Sequence, residues 1–141
     1  MTEQSLPTLA NDLRLACQRI ARRVRFEGTQ QVAPPQFSVL VRVARTPLTP
    51  TALAERERVS TPSMTRTVNG LVEAGLVIRE PHPDDRRQVL VSITPDGQHV
   101  VSQTLAERDS WMLQHLEGLE PDDLALLRRA ADLLLEVAAH E

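Results

Sequence analysis

Tyrosine and lysine are absent from this 141-residue sequence, and cysteine occurs once, at Cys17. One cysteine excludes an intramolecular disulfide and any zinc site built on several cysteines. Aromatic residues make up 2% of the chain, which disfavours a pocket made by aromatic stacking. Five glycines leave little room for a phosphate-cradling loop. No paired acid and base groups or triad-like spacing stand out, so an enzyme is not expected. His82, His99, His115 and His140 lack a second ligand at close helical spacing, so neither a metal nor another cofactor is expected. No apolar run approaches the roughly 18 residues a membrane span needs. The N-terminal MTEQSLPTLANDLR lacks the basic-then-apolar layout of a signal peptide. The expectation is a cytoplasmic protein with no membrane partner.

What is present is a chain 41% hydrophobic, rich enough in apolar residues to fold. The net charge of -3 is unevenly spread. Residues 1–94 carry 13 arginines against 9 acids, a net +4; the remainder carries 3 against 10, a net -7. Arginine suits bidentate contacts to phosphate and guanine, although a GC-rich coding bias is the simpler source of its exclusive use.

Periodicity and punctuation predict about six helices and a hairpin, a mainly α (α+β) chain. Leu9, Leu13, Cys17, Ile20 and Val24 form one helical stripe, and Gly28 with Thr29-Gln30-Gln31 ends that helix. Pro34-Pro35 opens a second helix with Phe37, Leu40, Val41 and Ala44 on one face, and Thr46-Pro47 marks its exit. Thr49-Pro50, Thr61-Pro62 and Thr94-Pro95 each look like an N-cap followed by proline at the first helical position. They predict helices over about 50–58, 62–74 and 95–116, with Gly75 as a natural stop. Pro121 opens the last helix. The strand formers Leu76-Val77-Ile78 and Val89-Leu90-Val91-Ser92-Ile93 flank a stiff polar loop, Pro81 to Arg87.

A capped helix followed by an arginine-tipped hairpin is how a winged helix-turn-helix meets DNA. On the 62–74 helix, Met64, Val68 and Leu71 point to a core, while Pro62, Thr65, Arg66 and Asn69 share the opposite face. Arg66 can pair with guanine O6 and N7; Asn69 can read adenine or bind phosphate. Ser63 and Thr65 hydroxyls suit either task, and the helix N-terminus offers N–H groups to phosphate. At the hairpin tip, Arg86 and Arg87 suit a narrow minor groove, with Asp85 holding one arginine in orientation. His82 is a further phosphate or minor-groove candidate. The alternative is a solvated helix face and an ordinary charged turn.

These residues resemble the MarR family of bacterial transcription regulators. The resemblance covers nearly the whole chain. It is carried most specifically by Ser63-Met64-Thr65-Arg66, by Leu71-Val72-Glu73-Ala74-Gly75-Leu76-Val77, and by Pro83-Asp84-Asp85-Arg86-Arg87 through Thr94-Pro95-Asp96-Gly97. It implies a winged helix-turn-helix with a two- or three-stranded wing, in a single domain spanning 1–141. About 34–94 would bind DNA, and about 6–28 and 95–141 would form a dimerisation region. The function implied is a homodimeric, sequence-specific regulator of transcription. It would be a ligand-responsive repressor on a pseudo-palindromic double-stranded operator. Pro62, Ser63, Thr65 and Arg66 would read the major groove; Arg86 and Arg87 would serve the wing, with Asp85 orienting Arg87. The other function class is a winged helix module that binds protein without reading DNA sequence.

A phenolic or otherwise lipophilic effector is also implied, with Cys17, Phe37, Trp111 and Met112 as the candidate pocket residues. Phe37 and Trp111 equally suit core or dimer anchors. Cys17 lies in the apolar stripe, where a buried cysteine behaves as a small hydrophobe. Some members of the family sense peroxide through a first-helix cysteine together with tyrosines, which this chain lacks. Glu120 departs from the Ser or Thr expected as the cap of the last helix.

Overall fold

In the computed structural model, residues 5–26 and 32–140 are described. The ending assigned to Gly28–Gln31 lies outside them. Among the described residues, six helices and one hairpin follow in order: α1 (Leu6–Phe26), α2 (Pro34–Arg45), α3 (Pro50–Glu57), α4 (Thr61–Glu73), β1 (Val77–Pro81), β2 (Val89–Ile93), α5 (Pro95–Leu116) and α6 (Pro121–Ala139). The chain divides into two compact units, 1–108 and 109–141.

The core of the first unit draws on α2, α3, α4, the hairpin and the first turns of α5. Met64, Val68 and Leu71 enter it from α4 as their i, i+4, i+7 spacing demands. The sequence stripe on α2 is too narrow: Val39 and Val43 are buried with Phe37 and Leu40. The buried arc runs from Val39 and Val43 through Leu40 to Phe37, wider than a single stripe, with Arg42 and Arg45 on the opposite side. The contribution of α5 comes from Val100 and Val101, whereas Leu105 stays exposed.

β1 and β2 pair antiparallel from Val77↔Ile93 to Pro81↔Val89. Leu48 adds a single bridge to Val91, its N–H donating to the Val91 carbonyl at 3.2 Å and its carbonyl accepting in return at 2.8 Å. This fixes the segment between α2 and α3 against the hairpin as a short third edge.

The helix-turn-helix rests on its caps. Thr49 Oγ1 accepts from Ala52 N at 3.1 Å and starts α3. Arg58 ends it in the left-handed region, with φ 55. At α4 the cap is Ser60 rather than Thr61, because the Ser60 hydroxyl accepts from Ser63 N at 3.2 Å. Pro62 is therefore in the first turn but not at its first residue. α4 closes in a Schellman turn: Leu76 N–H donates to Leu71 O and Gly75 N–H to Val72 O, each at 3.0 Å. Gly75 supplies the φ of 75 that this turn requires.

No residue of α6 is buried, and Leu126, Leu133, Leu135 and Val137 are largely exposed. Glu120 makes no side-chain cap bond, yet α6 begins at Pro121 as the proline predicts. On α1 the predicted stripe is also largely uncovered: Leu9, Leu13 and Ile20 are exposed. Cys17 is exposed with them, which corrects the expectation of a buried thiol. Its stripe is apolar, but among the described residues it stays exposed. Among the described residues, no helix is long and apolar enough to cross a membrane.

Candidate nucleic-acid interface

The 3.6-residue period of α4 divides it cleanly. With Met64, Val68 and Leu71 in the core, Pro62, Thr65, Arg66 and Asn69 are exposed, and Ser63 is half-buried at the margin. Arg66 has no intramolecular hydrogen bond or ion pair among the described residues, so its five guanidinium donors stay available. Thr65 Oγ1 donates to the Thr61 carbonyl at 3.0 Å, leaving its lone pairs and methyl outward. The start of α4 offers phosphate less than expected. Ser63 N–H is held by the Ser60 hydroxyl, Met64 N–H by the Ser60 carbonyl at 3.0 Å, and Pro62 has no N–H.

Asn69 is already engaged. Arg79 Nη2 on β1 donates to Asn69 Oδ1. Sequence reasoning does not find Arg79. The signal for it is the strand period of two, which puts Arg79 on the same hairpin face as buried Val77.

The hairpin tip, 82–88, is organised by side chains. His82 N–H donates to the Gln88 carbonyl at 3.1 Å, continuing the ladder past Pro81. His82 Nδ1 accepts from Asp84 N at 3.1 Å. This imidazole is half-buried and shapes the turn, and only its Nε2 edge is left for DNA. Asp85 Oδ1 accepts from Arg87 N at 3.0 Å and lies 3.5 Å from Arg87 Nε. One carboxylate thus closes the turn and also contacts the guanidinium. The Arg87 side chain is 94% exposed, and Arg86 is exposed beside it. Coulomb attraction between exposed groups is weak, so Asp85 acts mainly through its bond to the backbone.

A second feature of the first unit is a cleft of about 470 Å³ whose lining includes Arg25, Phe37, Arg42, Arg45, Arg56 and Arg108. No carboxylate lines it among the described residues. Arg42 Nε meets Glu57 at 3.2 Å, and Ser38 donates to the same carboxylate. Arg108 Cζ lies 4.4 Å from the centre of the Phe37 ring, a cation–π distance. Burial, and then the charge of Arg25, lower the Arg108 pKa from its ordinary value. Of the four predicted effector residues, Phe37 lines this cleft and Cys17 does not. Trp111 and Met112 belong to the second unit, where Trp111 stacks on His115 at 3.9 Å. Among the described residues no group of three His, Cys, Asp or Glu side chains could hold a metal ion.

The model of the MarR family matches residues 30–88. The chain is 47% identical over 131 residues to an uncharacterised HTH-type transcriptional regulator of Mycobacterium leprae, covering 92% of each. It is 33% identical over 99 residues to the multiple antibiotic resistance protein MarR of Salmonella typhimurium, covering 68% of each. Its fold is similar to the apo crystal structure of wild-type MarR from E. coli. The TM-score is 0.71 at 25% identity, over 94% of this chain and 98% of that one.

Proposed function

The chain belongs to the MarR family of transcriptional regulators, and from that membership we propose that it is a ligand-responsive repressor binding a pseudo-palindromic operator as a homodimer. In this reading α4 lies in the major groove, and the Asp85-Arg86-Arg87 tip meets the neighbouring groove or backbone. Residues 34–94 are the DNA-binding region, and α1, α5 and α6 supply the dimer contacts. The observation that carries the reading is the exposed face of α4, where Arg66 has no partner among the described residues, beside a hairpin whose tip arginine is held by Asp85.

Two further observations support parts of it. The uncovered apolar residues of α1 and α6 suit an isologous contact, since a closed two-fold dimer is the commonest assembly. The arginine-lined cleft suits an effector that carries negative charge. Negative charge is thereby added to the phenolic or otherwise lipophilic ligand expected. An anion there would offset the repulsion between guanidiniums while its apolar part meets Phe37.

The test is binding to the DNA upstream of the protein's own gene across a salt series, against random duplex of equal length. Tighter binding to the upstream DNA, with log K falling linearly in log salt, is expected. Equal affinity for both duplexes would favour the protein-interaction alternative. Release of the upstream DNA by an aromatic or aliphatic carboxylate, but not by its methyl ester, would support an anionic effector.

A further inference from the structure

Arg79 and Asn69 come from different elements, yet they meet. On the ladder Arg79 lies opposite Val91, as Val77 lies opposite Ile93. Residues two apart share a sheet face, and Val77 and Val91 are both buried. Arg79 therefore leaves the hairpin on its core-side face, just where the core ends, and reaches α4. The other face takes Glu80, whose carboxylate accepts from Ser92 Oγ at 3.1 Å. No carboxylate pairs with Arg79 among the described residues.

The chemistry of the contact fixes its direction. A guanidinium has donors only, so the carboxamide atom facing Arg79 must be oxygen, as found. In a planar amide the nitrogen then occupies the other limb, away from the strand. Asn69 is exposed on the α4 face that also carries Thr65 and Arg66. Bidentate reading of adenine needs the carboxamide oxygen to accept from adenine N6 while the nitrogen donates to N7. Here the oxygen already accepts from a charged donor, and the adenine amine would have to share that oxygen with Arg79.

We infer that Arg79 is a positioning residue for base recognition. It holds Asn69 with Oδ1 toward the strand and Nδ2 toward the groove, so that Asn69 donates to a base acceptor: guanine O6 or N7, adenine N7 or thymine O4. The bond also orders a side chain that would otherwise lose rotamer freedom only on binding. This rests on the reading of α4 as the helix in the major groove. The competing role for Arg79 is a plain phosphate contact.

The two roles separate in a binding series. The wild-type protein selects its preferred duplex from a random pool. Affinities are then measured for that duplex, for single-position variants of it and for a random duplex. The proteins compared are wild type, Asn69→Ala, Arg79→Met, their double variant and Arg66→Ala. Arg79 is exposed, so Arg79→Met is expected to fold, which thermal melting checks. Asn69→Ala and Arg79→Met are expected to lose about tenfold discrimination at the same position of each half-site. The double variant should lose no more discrimination than either single one. Arg79→Met lowering affinity equally on all duplexes, with base preference intact, would overturn the inference and leave a phosphate contact. Losses at unrelated positions would also overturn it. If Arg66→Ala too leaves every preference unchanged, the assignment of α4 itself fails and Arg79 falls with it.

Discussion

Arg66 stands on the outer face of α4 with no partner among the described residues, and Arg87 stands on the hairpin with its backbone N–H held by Asp85 and its guanidinium exposed. The first is suited to a base edge and the second to the phosphate backbone or a narrow groove. Arg66→Ala should cost specific binding roughly 1–3 kcal/mol and relax preference at one position. Equal losses on selected and random DNA, measured by fluorescence anisotropy, would deny it a base-reading role. Arg87→Ala should weaken binding to all duplexes. It should also flatten the slope of log K against log salt by about 0.9 for each phosphate left unneutralised, one in each half of a symmetric dimer. An unchanged slope would remove Arg87 from the interface. Both arginines are legible in the sequence, because period and turn chemistry expose them without reference to anything distant. Arg79 is not, because its role depends on a meeting between a strand and a helix. Nor is the turn-shaping role of His82, whose acceptor nitrogen meets a backbone amide two residues on.

The elements are legible where punctuation is strong. Proline and threonine mark the starts of α3 and α5, and Gly75 marks the end of α4. The start of α4 is not, because Ser60 and Thr61 are adjacent cap formers, and only the bond to Ser63 N chooses between them. The run Thr94-Pro95-Asp96-Gly97, which carries part of the family resemblance, proves to be a joint. Thr94 Oγ1 donates to the Gly75 carbonyl at 2.7 Å and accepts from Gly97 N at 3.1 Å. It ties the end of α4 to the start of α5. Gly97 is required there by close approach, since a Cβ would lie 2.2 Å from the Leu76 carbonyl oxygen. Backbone cannot swing aside as a side-chain tip can. Gly97→Ala should therefore lower stability by about 1–3 kcal/mol, read as a shift in the urea midpoint. A variant as stable as wild type would mean that α5 is not seated so tightly.

For the molecule as a whole, charge and apolar surface are segregated. Arginines gather in the first two thirds of the sequence and acids in the last third, so the acidic region need not face DNA. The apolar faces of α1 and α6 can be read as stripes, but their exposure in a single chain cannot, since periodicity does not say what covers a stripe. Leu126, Leu133 and Val137 share one face of α6 at i, i+7 and i+11, and such an exposed apolar row is unusual in a monomer. Sedimentation equilibrium should give a dimer at micromolar concentration; a monomer with undiminished DNA affinity would contradict the two-fold arrangement. The most direct measurement is selection of duplexes from a random pool by the full chain. The recovered sequences should form an inverted repeat whose half-site centres lie about 10–10.5 base pairs apart, or a multiple of that spacing. Recovery of no enriched sequence, or of a lone half-site, would contradict a homodimer that reads DNA through paired α4 helices.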